Sequence, residues 1–450
     1  MSTTTEPDVA LRDERVLVDD LSKKVGKPVT LCGWLVGVKR VKSMRFVSVR
    51  DRTGTVQAVC RGDALAEEVD ALTLESAIRV VGRVQKNPAS HHGKFEIEVE
   101  RITLLSPACT PLPWTDNPDP DARLDYRYLD LRKPERFLIF QVQTTLEAAI
   151  RDYLLERGHV EIHTPKITAG GSESGSAVFE LPYFGERACL VQSPQFYMQL
   201  AMAAGFDRVF EVGPVFRAEA AVTNRHATEF TCIDVEVSWI DSHEELMALE
   251  EAVLRHALAA VRDAHGRAIE RAFGVAIDMP DGPIPRVPLA LANELMPDLE
   301  GEAGGRLTYR AEQALSKYAM ERYGHSFVFV TDYPAADRPF YTMHAPGASD
   351  TIKGPRSRSF DLLWRGTEIT SGCQREHRYE RLRTQAAAGG IEADGLARYL
   401  DRYYFEMFKY GCPPHGGFGI GIGRLLMALL AQPSIRETSF VFRGPGRYVP

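Results

Sequence analysis

Cysteine is scarce and scattered. The seven cysteines, at positions 32, 60, 109, 189, 232, 373 and 412, include no pair at CxxC spacing. That spacing pattern argues against a zinc knuckle or a disulfide framework and fits a reducing cytoplasm. No apolar run reaches the length needed to cross a bilayer. The start, MSTTTEPDVALRDE, is polar and acidic, so it reads as a disordered tail and not as a signal peptide. An excess of positive charge is also missing. Lys and Arg number 54 against 61 Asp and Glu, a formal charge of -7. The whole chain is therefore no basic nucleic-acid binder, although a local basic face stays open. There is no GxGxxG after a strand and no GxxxxGK[ST], which removes the parallel nucleotide folds, and no internal repeat.

What is present divides into four stretches. Residues 1–27 are a tail and lead-in. Residues 28–106 carry about five short strands separated by the turn-rich DRTG and NPASHHG, with helical material only near 63–75. That pattern predicts a small barrel of the oligonucleotide-binding type. Lys23, Lys24, Lys39, Arg40, Lys42 and Arg45 could give it a basic face, or could equally be a solvated charge run. Residues 107–135, rich in Pro and Asp, read as a hinge. Residues 136–450 form one large domain that opens with the helix RFLIFQVQTTLEAAIRDYLLERG. Its long alternating strands and late hairpins predict an antiparallel sheet flanked by helices, so the chain as a whole is α+β. Helices are expected at 242–264, 308–322, 393–409 and 421–431. The segment 265–325 carries no assignable chemistry.

Three segments bear chemistry. In VGPVFRAEAAVTNRHATEFTCIDVEV, Arg217 and Glu219 alternate on a strand, Arg225 and His226 sit in a loop, and Glu229, Phe230, Asp234 and Glu236 follow on the return strand. Arginine matches a phosphate through its planar fork, and a phenylalanine ring can stack on a base. In FDLLWRGTEITSGCQREH, Asp361 and Glu368 flank a turn, and such paired carboxylates can hold Mg²⁺ shared with substrate phosphates. Ser371 and Arg375 follow closely. In PPHGGFGIGIGRLLMALL, a glycine-rich strand runs into a helix with Arg424 in its first turn, a place suited to anions. Taken singly, each segment is also readable as a charged surface hairpin or a packing strand.

Together these segments resemble a class II aminoacyl-tRNA synthetase, similar to the aspartyl enzymes of archaeal and eukaryotic type, over residues 28–450. GHVEIHTP, ending in Pro165, looks like motif 1, VFRAE…NRHATEF like motif 2, and GFGIGIGR like motif 3. The resemblance implies an anticodon-binding barrel, a hinge and a dimerising catalytic domain, with ATP and Mg²⁺ as cofactors. It implies that Arg217 binds the ATP α-phosphate and the developing adenylate, that Glu219 contacts the adenine side, and that Arg225 and His226 lie near the distal phosphates. Phe230 would stack on adenine, with Arg424 closing the stack and binding the γ-phosphate. Asp361 and Glu368 would hold Mg²⁺. Glu173, Gln195, position 198, Asp234, Ser371 and Arg375 would form the amino-acid pocket. In the barrel, Phe46 and Gln57 would stack on and read anticodon bases of a tRNA of Asp or Asn type.

The chain departs from that pattern at three places. Where the aspartyl pattern has QSPQxxK, this chain reads QSPQFYM, so Met198 replaces a lysine that clamps the substrate carboxylate. A thioether cannot balance a carboxylate. Gly423 stands where an acid usually precedes the motif 3 arginine, which is expected to loosen Arg424. The tail reads VFRGPGRYVP. The resemblance therefore implies an aspartate-activating tRNA ligase. A paralogue activating asparagine or a modified aspartate for specialised metabolism, and a non-catalytic RNA binder, are the alternatives. Amino-acid-dependent pyrophosphate exchange separates the enzymes from the binder.

Overall fold

The computed structural model describes residues 15–90, 94–114, 118–172, 177–220, 222–295, 307–346, 355–389 and 399–450. The polar start of the chain and Glu173 lie outside them. The chain forms two compact units, Met1–Phe137 and Leu138–Pro450.

The first unit holds a closed five-stranded barrel. Its strands are β1 (Pro28–Val41), β2 (Met44–Arg50), β3 (Thr55–Arg61), β4 (Ala77–Lys86) and β5 (Phe95–Ser106), in the order β1-β2-β3-β5-β4. Alternation puts Leu31, Leu35, Val47, Val49, Val56, Ala58, Ile78, Val80 and Ile97 inside, all fully buried or nearly so. Leu21, from the seven-residue 3₁₀ segment Val18–Lys24, joins the same core. The DRTG turn closes on a buried carboxylate. Asp51 accepts from the Thr53 N–H and hydroxyl at 2.8 and 2.7 Å and from the Val18 N–H at 2.9 Å. The stretch read as a hinge contains two short helical pieces, Pro120–Asp125 and Arg127–Asp130, with a buried Arg127–Asp130 ion pair at 2.7 Å.

The second unit is built on an eight-stranded sheet. Its strands, with those of a small separate sheet, are β6 (Val160–Glu161), β7 (Ile167–Thr168), β8 (Glu180–Tyr183), β9 (Glu186–Leu190), β10 (Arg208–Phe216), β11 (Glu229–Ser238), β12 (Arg286–Pro288), β13 (Phe327–Thr331), β14 (Ser359–Trp364), β15 (Thr367–Gln374) and β16 (His415–Gly421). The order in the large sheet is β12-β13-β14-β15-β16-β11-β10-β6. The middle is antiparallel as expected. Both outer pairs, β12 with β13 and β6 with β10, run parallel, so the sheet is mixed.

One face of this sheet carries the core. Ile233 and Val235 of β11, Phe418 and Ile420 of β16, and Phe329 and Phe360 pack against the helices Pro134–Glu156, His243–Phe273 and Ile422–Leu429. The long helix extends nine residues past the expected end at 264. A capping box of Ser242 and Glu245 starts it, and Gly274, at φ 69°, stops it. Glu250 faces the core from this helix and accepts from the Thr370 hydroxyl. Burial pushes its carboxyl up to about 8.

Candidate active site

The other face of the sheet forms the floor of a cavity of about 800 Å³. Strand pairing places Asp361, Ser371, Gly419 and Asp234 opposite one another across β14, β15, β16 and β11. Gly419 keeps this floor open, because a Cβ there would come within 3.0 Å of Asp234 Oδ1. Along β11 the period of two sends Ile233 and Val235 to the core and Phe230, Asp234 and Glu236 to the cavity face. The alternation in EFTCIDVEV thus orders the site from a Phe230 end to a Glu236 end.

At the Phe230 end the Arg217 guanidinium lies 5.6 Å from the Phe230 ring. The strand β10 ends at Phe216, so Arg217 and Glu219 leave it and do not alternate on it as expected. Arg217 N–H still pairs with Thr228, but Ala218 N–H turns to Ala177. Arg217 Nε is buried and has no hydrogen-bond partner. His226 accepts or donates at 2.5 Å with Thr223 and lies 3.8 Å from Glu219. Burial, with Arg424 nearby, lowers its pKa, so it is neutral near pH 7. Arg424 occupies the first turn of Ile422–Leu429. It donates to the Arg225 carbonyl at 3.2 Å and to Glu368 Oε1 at 3.0 Å. Arg424 is thus held without an acid at position 423, against the expected loosening. A Cβ at Gly423 would lie 2.8 and 2.9 Å from Ile435 Cγ1 and Cδ1, so this chain fills with Ile435 the space a side chain would need.

Two residues outside the segments singled out above enter this network. Glu312, on the helix Tyr309–Tyr323, is 1% exposed, binds the Arg225 guanidinium and accepts the Glu368 N–H at 3.2 Å. Burial and the Glu368 charge raise its carboxyl to about 7, against the pull of Arg225. Its signal was a glutamate at helical spacing with the buried Ala311, Leu315 and Ala319. Arg338 binds Asp361 Oδ2 at 2.7 Å and Ser371 Oγ at 3.3 Å, with its guanidinium 3.6 Å over Tyr333. No periodicity marks Arg338; it reaches the site from a loop.

Each of the two carboxylates expected to hold Mg²⁺ is engaged by an arginine, Asp361 Oδ2 by Arg338 and Glu368 Oε1 by Arg424. Asp361 Oδ1 is buried and has no hydrogen-bond partner, while Glu368 stands across the β14–β15 hairpin. Among the described residues, no three His, Cys, Asp or Glu side chains cluster as a metal cage. A Mg²⁺ ion held by these two side chains would take its other ligands from phosphates and water.

At the Glu236 end, Arg375 is enclosed. It is 6% exposed and makes a two-pronged ion pair with Glu236, Nε and Nη2 each at 3.0 Å. Its Nη1 lies 2.6 Å from Cys373 Sγ. Gln195 lines the same space with a buried Nε2 that has no partner, and Asp234 and Ser371 line it too. Met198 does not line it. Its side chain is 1% exposed, packed with Ala201, Met202, Val209 and Ile162. Its assignment to the amino-acid pocket is corrected to a packing role, because a thioether on the apolar face of Gln195–Ala203 gains more from carbon contact than from a polar cavity.

In the barrel, Phe46 and Gln57 sit on outward positions of the neighbouring strands β2 and β3, with Ser48 opposite Gln57 and Phe46 opposite Val59. Gln57 donates to Glu96 at 3.0 Å. Of the basic residues named above, Arg40 and Arg45 share Asp70 at 2.8 and 2.7 Å, and Lys23 pairs with Asp20 at 2.9 Å. The positive face is therefore partly neutralised.

Comparison with known proteins gives two family matches. Residues 119–442 match tRNA synthetases class II (D, K and N), and residues 29–105 match the OB-fold nucleic acid binding domain. The chain is 39% identical to an aspartate--tRNA(Asp/Asn) ligase of Aeropyrum pernix over 97% of this chain and 99% of that protein. It is 41% identical to the Thermus thermophilus aspartate--tRNA(Asp/Asn) ligase over 97% and 100%. Among solved structures it is similar to the Pyrococcus horikoshii asparaginyl-tRNA synthetase complexed with asparaginyl-adenylate. That likeness has a TM-score of 0.84 at 29% identity, over 97% of this chain and 100% of that one. The Entamoeba histolytica aspartyl tRNA synthetase gives 0.83 at 28%, over 100% and 95%.

Proposed function

The chain belongs to the class II tRNA synthetases of the D, K and N group, and from that premise we propose that it activates aspartate with ATP and transfers it to tRNA of Asp or Asn type. The observation that carries this reading is the set of buried, unpartnered polar atoms around one cavity: Arg217 Nε, Gln195 Nε2 and Asp361 Oδ1. Buried polar groups are normally paired, so unpaired ones around a cavity favour a polar ligand there.

The reaction needs no side-chain nucleophile. A carboxylate oxygen of the amino acid attacks the α-phosphorus. The bond from that phosphorus to the bridging oxygen breaks, and pyrophosphate leaves with the electron pair. Arg217 donates to the α-phosphate oxygens, where charge builds, and Phe230 beside it offers a face for the adenine. Arg225, neutral His226 and Arg424 receive the distal phosphates. Glu219 faces the adenine side. The Asp234 carboxylate can accept from the α-ammonium group, Gln195 Nε2 can donate to a substrate oxygen, and Arg375 with Ser371 meets the side chain. Bound between Asp361 and Glu368, Mg²⁺ would neutralise phosphate charge. The tRNA terminal hydroxyl then attacks the adenylate carbonyl and AMP leaves. Positioning and charge stabilisation supply the rate.

On this reading, residues 28–106 bind the anticodon through Phe46 and Gln57, 107–135 connect, and 136–450 catalyse as a homodimer, behind the 1–27 lead-in. No helix among the described residues is long and apolar enough to cross a membrane, and a cytoplasmic site of action follows from the reaction. The test is pyrophosphate exchange over an amino-acid panel, with and without tRNA, then charging of total tRNA. Aspartate-dependent exchange and charging are expected. Exchange with no amino acid under either condition sinks the reading.

A further inference from the structure

Four residues from four separate elements close a ring at the Phe230 end. Arg225 binds Glu312 through its guanidinium, and its carbonyl accepts from Arg424 at 3.2 Å. Arg424 binds Glu368 Oε1 at 3.0 Å, and the Glu368 N–H returns to Glu312 Oε2 at 3.2 Å. The two acids are neighbours in it, joined through the Glu368 N–H, and the two cations are neighbours, joined through the Arg225 carbonyl. Three of the four lie in the segments with recognisable chemistry. Glu312 does not: it comes from the helix Tyr309–Tyr323 and is 1% exposed.

We propose that Glu312 is a positioning residue for ATP, fixing the Arg225 guanidinium and the Glu368 strand end in the places from which they serve the pyrophosphate portion. This rests on the activation reading above. A loop arginine has many rotamers, and a phosphate that must order it loses affinity in doing so. Here two contacts limit that freedom. Glu312 holds the guanidinium, and Tyr309, one turn earlier on the same helix, lies under it at 5.6 Å. Glu312 also fixes the backbone of Glu368, so one buried carboxylate registers a cation and an acid to each other. The carboxylate touches neither the amino-acid pocket nor Arg217 in any contact of the ring. Its removal should therefore act on ATP and spare the steps that follow pyrophosphate release.

The experiment compares the wild-type chain with Glu312→Gln and Glu312→Ala. Glu312→Gln keeps the shape and one acceptor for the Glu368 N–H, so it carries the comparison where Glu312→Ala fails to fold. Losing a charge-assisted bond predicts a rise in the KM for ATP of about ten- to a hundredfold for Glu312→Ala. A smaller rise is expected for Glu312→Gln. The KM for the amino acid and the single-turnover transfer from preformed adenylate to tRNA should stay within about twofold. Unchanged ATP dependence in the folded variants overturns the proposal. So do equal losses in ATP use, amino-acid use and transfer, which would mark Glu312 as merely structural. Wild-type exchange failing with every amino acid overturns the activation reading instead. In that case ATP affinity measured by calorimetry on the same three proteins decides the role of Glu312.

Discussion

Arg217 and Arg375, at the two ends of the cavity, are held in opposite ways. At the Phe230 end Arg217 keeps a buried Nε free of any partner, and Arg424 is steered by a backbone carbonyl as well as an acid. At the Glu236 end Arg375 is committed, with two prongs on Glu236 and the third nitrogen on Cys373. Arg217 is therefore ready for an anion, while an anion that approaches Arg375 competes with an internal carboxylate. Met198 sharpens the contrast, since the position that supplies a second cation in the aspartyl pattern here supplies only packing.

Arg217→Ala breaks the comparison at its reactive end. Losing a donor aimed at developing charge costs about 10²–10³-fold in exchange, with the same factor for every amino acid used. The denaturation midpoint should barely move, because Nε holds no protein partner. A loss that differs between amino acids would place Arg217 in side-chain selection and refute the division into two ends.

Glu236→Gln breaks it at the other end. Removing one member of a buried ion pair typically costs about 3–5 kcal/mol, and the surviving Arg375 charge is then available to substrate. The variant should unfold at lower denaturant than wild type, and aspartate should restore more stability to it than to wild type, by mass action. Equal stabilisation of both proteins by aspartate would mean that Glu236 does not compete for Arg375.

Beneath the floor, Glu250 allows a pH test of a group that serves neither end. Its folded-state pKa, about 8, lies above the ordinary 4.5. Between those values the folded chain holds a proton that the unfolded chain releases, so stability falls as pH rises from about 4.5 to about 8 and is level above that. Glu250→Gln removes this dependence. Its midpoint should gain on wild type by a few degrees more at pH 8.5 than at pH 5.5. A gain independent of pH would show that the carboxyl does not titrate in that window.

Legibility in the sequence followed the distance over which each feature is built. The barrel strands, the return strand that carries Phe230 and Asp234, and the start of the long helix near 242 are local patterns, and the structure repeats them. Phe230, Asp234, Asp361, Ser371, Arg375 and Arg424 line the cavity because each sits in a segment whose own spacing points it there, whereas Arg217 lines it from beyond the end of its strand. The pairing of Glu236 with Arg375 was not legible, since 139 residues separate them. Nor was the ring through Glu312, which needs a helix 87 residues beyond Arg225. The parallel edges of the sheet escaped for the same reason: β6 and β12 are only two and three residues long, too short to show a period.

The smallest expected effect concerns Gly423, where the resemblance led us to expect a loosened Arg424. If an acid at 423 were what orients the arginine, Gly423→Glu would tighten ATP use. The packing argues the reverse. A Cβ at 423 lands 2.8 Å from Ile435 Cγ1, and the Ile435 N–H is bonded to the Asn224 carbonyl at 2.7 Å. Displacing Ile435 therefore pulls on the loop that carries Arg225, whose carbonyl steers Arg424. Overpacking of this kind costs about 1–3 kcal/mol, and the KM for ATP should rise several-fold. Ile435→Ala in the same chain makes the room that Gly423 otherwise provides and should recover most of both losses. If Gly423→Glu alone lowers the KM for ATP, Arg424 is underheld in this chain, and the Phe230 end is less ordered than the contacts of Arg424 with Arg225 and Glu368 imply.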